Sequence, residues 1–189
     1  MPRNSKEIEF LKLLNKISNI YVVNKAVGNY EGIATLYLTD CTDNSRLFPY
    51  EDSNNKTIQT DITTLDNLIQ KGLEPPDFIK IDTVGSELEV LEGFLRSVNE
   101  YHPAFIIMLY KPSNDAKIGR FFKEHGYSIF RLNNDFARKF AKQRRPIVEI
   151  KHPETGWPAP EGTWGHILVL HLDRHSEIID SLRSSKAFA

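Results

Sequence analysis

The sequence predicts an α/β fold, because between residues 77 and 132 short apolar runs alternate with helical periodicities in the rhythm strand, helix, strand, helix, strand. Each change of rhythm carries a cap or turn signal, and the run 104–110 is almost continuously apolar, as in a strand buried on both faces of a parallel sheet. At 189 residues the chain is long enough for one compact α/β or α+β unit.

Asn4, with Glu7 three residues on, has capping-box spacing, and Phe10, Leu11, Leu14 and Ile17 follow at helical intervals, so a helix is predicted that ends between 15 and 18. The β-branched and aromatic run 20–23 reads as a strand, Val27 to Gly32 as turn chemistry, and 33–38 as a second strand. The polar stretch 39–55 reads as a loop, and 56–61 as a short strand. Thr63, with Asp66 three on, is placed to cap a helix over Leu65, Leu68 and Ile69, closed by Gly72 and Pro75-Pro76. Asp77-Phe-Ile-Lys-Ile-Asp82 is a compact strand. Ser86 and Glu89 then cap one helix carrying Leu88, Leu91, Leu95 and Val98. Pro103 precedes the 104–110 strand, a helix runs from Ser113 or Asn114 through Ile118, Phe121 and Phe122 to Gly126, and 127–132 is the next strand. A basic helix is expected near 135–143, a loop rich in Pro, Gly and Trp at 153–165, and a final strand at 166–172.

No stretch approaches the roughly 20 apolar residues of a membrane-spanning helix, and residues 1–9 mix charges without an apolar segment after them, unlike a secretory signal. Cys41 is the single cysteine, which fits a reducing compartment, with a soluble, cytoplasmic setting favoured. The formal net charge of −1 gives no whole-chain footprint for nucleic acid. Locally, Arg131, Arg138, Lys139, Lys142, Arg144, Arg145 and Lys151 outnumber Asp135 and Glu149, which suits either a solvated helix face or a site for an acidic partner.

In open α/β sheets ligands gather beyond the carboxyl ends of the strands. Asp82 falls at such an end, Gly85 permits a tight turn, and Ser86 opens a helix. A carboxylate there can bind a hydroxyl or amine, orient a substrate or act as a base. By spacing alone Asp82 is equally a loop cap, and Glu87 is a helix N-terminal charge before it is a catalytic group. His166 and His171 differ by an odd number along a strand and point to opposite faces, so no metal site is expected. Trp157 and Trp164 cover the sheet end or line a pocket. G-x-G-x-x-G, phosphate-loop and Gly-x-Ser-x-Gly patterns are absent from the sequence, which disfavours nucleotide hydrolysis and α/β-hydrolase chemistry.

The stretch from Thr63-Thr-Leu-Asp66, through Asp77-Phe-Ile-Lys-Ile-Asp82, Gly85, Glu87 and Val90-Leu-Glu-Gly93, to the strand after Pro103 resembles the FkbM-type methyltransferase domain. Asn19 to Gly28, with Gly32 after it, is similar to the family's third strand and turn. The resemblance covers about 2–132 of what reads as a single partial domain, 1–189, and leaves 133–189 as a divergent tail with a final strand. It implies a Rossmann-like class I sheet of order 3-2-1-4-5-7-6, S-adenosylmethionine as donor, and transfer to an oxygen of a small molecule or glycan. It also implies Asp82 as the catalytic residue, with Gly85 and Glu87 at the cofactor turn. The chain departs from the pattern in three places: Val84 stands where an acid usually precedes the glycine, Met108 and Leu109 where a glutamate ends the strand, and Met1-Pro2 aligns with a glutamate-proline pair closing strand 2. The expectation is therefore an incomplete sheet, its first two strands missing. Such a chain is either a fragment, whose enzyme activity the missing strands put in question, or one that pairs strand 3 directly beside strand 4. The rival reading is a non-catalytic binding module that presents the basic 138–145 segment to an acidic partner.

Overall fold

The computed structural model describes residues 2–38, 45–47, 49, 56–109, 112–132, 147–155 and 165–184. The segment predicted as the basic helix near 135–143 lies outside them, as do residues 156–164 of the predicted 153–165 loop, Trp157 and Trp164 among them, and most of the 39–55 loop.

Helix α1 spans Pro2–Leu14, so Asn4 lies inside it instead of capping it. Its apolar stripe is not a core face: Phe10, Leu11 and Leu14 are all exposed. The run 20–23, expected as a strand, joins no ladder; the pairing falls instead on β1 (Ala26–Val27). Strand β1 lies parallel to β3 (Lys56–Thr63), which pairs antiparallel with β2 (Gly32–Leu38) over seven rungs. The three form their own sheet in the order β1-β3-β2, so strand 3 does not pair beside strand 4. Arg46 adds one antiparallel bridge to Tyr37.

Helix α2 (Leu65–Gln70) is capped by Thr64, whose hydroxyl accepts the Asn67 N–H at 3.0 Å, and not by Thr63. Thr63 ends β3 and donates its hydroxyl to Glu31. After β4 (Phe78–Ile81), the single helix predicted from Ser86 to Val98 is two: α3 (Glu87–Glu92) and α4 (Leu95–Tyr101). The periodicity of Leu88, Leu91, Leu95 and Val98 is real, but Asp66 reaches across from α2 and caps a new helix start. Its carboxylate accepts the N–H of Arg96 at 2.9 Å and of Ser97 at 3.0 Å, and the Ser97 hydroxyl at 2.6 Å. Strand β5 (Ala104–Leu109), helix α5 (Pro112–Glu124) and strand β6 (Tyr127–Leu132) follow as predicted. Strand β7 (Val148–Glu149), a 3-10 turn at Pro153–Thr155, β8 (Gly165–His171) and α6 (Ser176–Ser184) complete the described chain.

The second sheet has the order β4-β5-β8-β6-β7. Only β4 and β5 pair in parallel; β8 lies antiparallel between β5 and β6, where the sequence rhythm had suggested one parallel run. Alternation along the strands divides two cores. Phe105, Ile107 and Leu109 of β5, Ile167 and Val169 of β8 and Ile129 of β6 face α3, α4 and α5, with the Phe105 ring edge-on to Phe94, Phe122 and Tyr127. Ala104, Leu170 and Phe130 belong to the other core, with Ile179 of α6. Burying each such large side chain stabilises the fold by about 1.5–3 kcal/mol, which is why a nine-residue helix holds to the sheet through few contacts. Outside it, Arg183 ties α6 down through Glu149, whose carboxyl is held at about 2 by the Arg183 guanidinium first and by Lys151 second, against its partial burial. No helix among the described residues is long and apolar enough to cross a membrane.

Candidate active site

Strand β4 buries Ile81 and releases the chain at Asp82, whose half-exposed carboxylate pairs with Lys80 at 2.8 Å. The next residues turn sharply: Val84 has φ 51° and Gly85 φ 100°. Glycine adopts this left-handed region freely, whereas a β-branched side chain there costs on the order of 1–3 kcal/mol. The turn survives because Glu87 holds it from within. Its carboxylate, on a residue only 1 % exposed, accepts the Gly85 N–H at 2.7 Å and lies 3.4 Å from the Thr83 hydroxyl. Burial pushes the Glu87 carboxyl up, and the hydrogen bonds from Gly85, its own N–H and Thr83 oppose that shift.

One rung beyond the last β4–β5 pair, Ile81 with Ile107, Asp82 comes level with Met108, and Met108 pairs with His166 of β8. Residues in one row across a sheet share a face, and strands lie about 4.8 Å apart, so Asp82 and His166 stand roughly 10 Å apart along one lip. Burial lowers the His166 imidazole, Lys80 lowers it further, and Asp82 opposes them. The lip therefore combines a carboxylate, an ammonium and a neutral imidazole able to take up a proton. His166 was weighed in the sequence only as a metal ligand; its place beside Asp82 follows from β8 inserting next to β5, which no local pattern announces.

Behind the turn, α3 packs on α5, and Asp115 sits buried in the first turn of α5. Burial, reinforced by the charge of Glu87 and opposed by Arg131, raises its carboxyl to about 6. In the sequence Asn114 reads only as the start of a helix, and no local pattern marks Asp115. Of the predicted site residues, then, Asp82 stands at the surface, while Gly85 and Glu87 shape the turn that carries it.

Among the described residues no group of three or more His, Cys, Asp or Glu is arranged to hold a metal. His171 and His175 meet far along β8 from His166, where the His171 N–H donates to His175 Nδ1 at 3.1 Å and the His102 ring stacks on His171 at 3.8 Å.

Other residues of the sequence pattern prove to be scaffolding. Asp66 caps α4, and a Cβ on Gly93 would lie 2.0 Å from the Gly28 carbonyl oxygen, so the α3–α4 junction tolerates no side chain there. Glu31 binds the sheet to α2 by accepting from the Thr64 N–H at 2.8 Å and the Asn67 amide at 2.6 Å.

A crystal structure of methyltransferase FkbM from Methylobacillus flagellatus KT is similar over 89 % of this chain, with a TM-score of 0.49 and 19 % identity. The chain spans 34 % of that protein's length. No curated protein matches the chain. The family model described as the methyltransferase FkbM domain matches residues 5–129, about two-thirds of the sequence, and takes in the Asp66 cap, the Gly93 contact and the whole Asp82 turn. On that match the chain belongs to the FkbM methyltransferase domain family.

Proposed function

We propose that this chain forms the acceptor-side part of a methyltransferase that moves a methyl group from S-adenosylmethionine to an oxygen of a small molecule or glycan, with Asp82 as its catalytic carboxylate. The observation that carries the reading is the position of Asp82: half-exposed, at the carboxyl end of β4, on a strained turn inside the region matched by the family. The order β4-β5-β8-β6 supports a Rossmann-like class I sheet, since it is the 4-5-7-6 half of the expected order.

When bound, the donor supplies an electrophilic methyl group. The residues here fit its polar groups in part: Asp82 can accept from an ammonium or hydroxyl, whereas Glu87 is committed to the Gly85 N–H and acts by holding the turn. Lys80 orients Asp82 through their ion pair, and His166, whose imidazole burial holds below the ordinary histidine value, can take a proton released at the lip. Positioning supplies most of the rate gain in such transfers. The lone Cys41 supports a reducing, cytoplasmic setting.

The test is an NMR titration with S-adenosylhomocysteine. Expected are shifts confined to residues 82–86 and an affinity about tenfold lower in Asp82→Asn, the loss of one charge-assisted hydrogen bond. No shift in that turn at millimolar ligand would remove Asp82 from the site.

A further inference from the structure

Strand β8 turns into α6 through the corner from His171 to His175, and two imidazoles hold that corner as acceptors. The His171 N–H donates to His175 Nδ1 at 3.1 Å, and the Arg174 N–H donates to His171 Nδ1 at 3.4 Å. A ring nitrogen that accepts carries no proton, so both rings close the corner as neutral imidazoles protonated on Nε2. The backbone continues from the same place: the His171 carbonyl accepts the His175 N–H and the His175 carbonyl accepts the Ile179 N–H, each at 3.0 Å. His171 is buried, with the Tyr127 ring edge-on at 5.0 Å and the His102 ring stacked at 3.8 Å.

The charged and titratable groups facing the two rings are His102 from the end of α4, Tyr127 from β6, and Asp173 and Arg174 from the corner itself. Arg174 is fixed there by Asp77, just ahead of β4, and by the Tyr101 carbonyl. A proton added at either Nδ1 therefore sets two donors head to head, beside a guanidinium and a stacked imidazole. Burial lowers both imidazoles, and His102 and Arg174 lower them further; Asp173 opposes this at His171, and the His171 backbone opposes it at His175.

We propose that the 171–175 corner is a pH-operated latch, closed while His171 and His175 are neutral and opened when they take up protons, which frees the start of α6 from the sheet. Opening lifts Ile179 away from Ala104, Leu170 and Phe130, and so uncovers apolar surface of the second core. At its far end α6 stays tethered, because the Glu149 carboxyl paired with Arg183 is held at about 2 and keeps its charge throughout. An imidazole released from the corner returns to the ordinary value of 6.5. The latch is thus shut above that pH and loosens as the pH falls through it, by up to about tenfold per ring between pH 7.5 and pH 5.5.

Two measurements on the full chain test this. Long-range 1H–15N NMR of the imidazoles at pH 7.5 should give the Nε2–H tautomer for both rings. Amide exchange, corrected for its intrinsic pH dependence, should show protection at His175 and Ile179 falling by at least about tenfold from pH 7.5 to pH 5.5. At the lower pH those two amides should also respond to low urea much more weakly than amides 118–122 of α5, because local opening exposes little surface. His175→Asn keeps an acceptor for the His171 N–H without a titrating ring, so its fall in protection should be smaller by up to about tenfold. An Nδ1–H tautomer in either ring at pH 7.5 overturns the proposal. So does a fall of less than tenfold, or a urea slope equal to that of α5, which would mean global unfolding. Tautomers and exchange are both read on the unaltered chain, so the test stands even if the variant fails to fold. It is independent of methyl transfer, since the corner lies at the other end of β8 from His166.

Discussion

Replacing Asp66 by alanine separates scaffolding from chemistry within the family pattern. Its carboxylate accepts two backbone N–H groups at the start of α4 and the hydroxyl of the fully buried Ser97. Losing the cap costs about 1 kcal/mol, and leaving the Ser97 hydroxyl without a partner adds about 1–3 kcal/mol. The bonds from the Asp66 N–H to the Gly93 carbonyl and from Arg96 to the Asp66 carbonyl involve the backbone of residue 66 and survive. The expected loss is therefore about 3 kcal/mol, which for a chain of this size lowers Tm by about 6–12 °C. Urea denaturation followed by circular dichroism should show a lower midpoint with an unchanged slope. Ser97→Ala in the Asp66→Ala background removes the stranded hydroxyl, so the double variant should recover about 1 kcal/mol relative to the sum of the two single changes. A loss below about 0.5 kcal/mol for Asp66→Ala, or strict additivity of the pair, would refute the capping argument.

Gly93→Ala forces a methyl group to within 2.0 Å of a backbone oxygen, so it should destabilise by about 3 kcal/mol or more in the same assay, whereas Gly72→Ala, with open space but φ 101°, should cost only about 1 kcal/mol. His171 and His175 are held below the ordinary histidine value, chiefly by burial, so the unfolded chain binds more protons below pH 6.5 and stability is lost as the pH falls through that value. His175→Asn keeps an acceptor for the His171 N–H without a titrating ring, and its urea midpoint should decline less between pH 7 and pH 5. Asp115 has the opposite sign: its folded value near 6 exceeds the ordinary 3.8, so its contribution is present at low pH and lost as the pH rises through that interval. Asp115→Asn should accordingly be the more stable protein at pH 7, by up to about 3 kcal/mol, with a flatter profile between pH 4 and pH 6.

Where local chemistry decides an element, the sequence revealed it. The Phe78-Ile-Lys-Ile81 run, the apolar 104–109 strand and the Gly126 stop after α5 are each fixed by side chains within a few positions of one another. Where a distant residue decides, it did not. Asp66 splits what reads as one helix into α3 and α4, and the contact between Gly28 and Gly93 joins residues 65 positions apart. The 20–23 run has strand composition but no ladder to enter, and the apolar face of α1 has helical period without a core beneath it. The site was half legible for the same reason. Asp82 and Gly85 announce a strand end and a turn, but Glu87 facing inward, Asp115 opposite it and His166 on the same lip depend on how α5 and β8 pack.

The central place of β8 has a consequence for biogenesis. Residues 165–171 leave the ribosome last among the described strands, yet they form the seam between β5 and β6, and until they arrive both neighbours present open, apolar edges. The second sheet thus cannot close until residues 165–171 have been synthesised. It depends on non-local pairing, which is slow, and nascent chains stalled before residue 165 should be chaperone clients that aggregate when released.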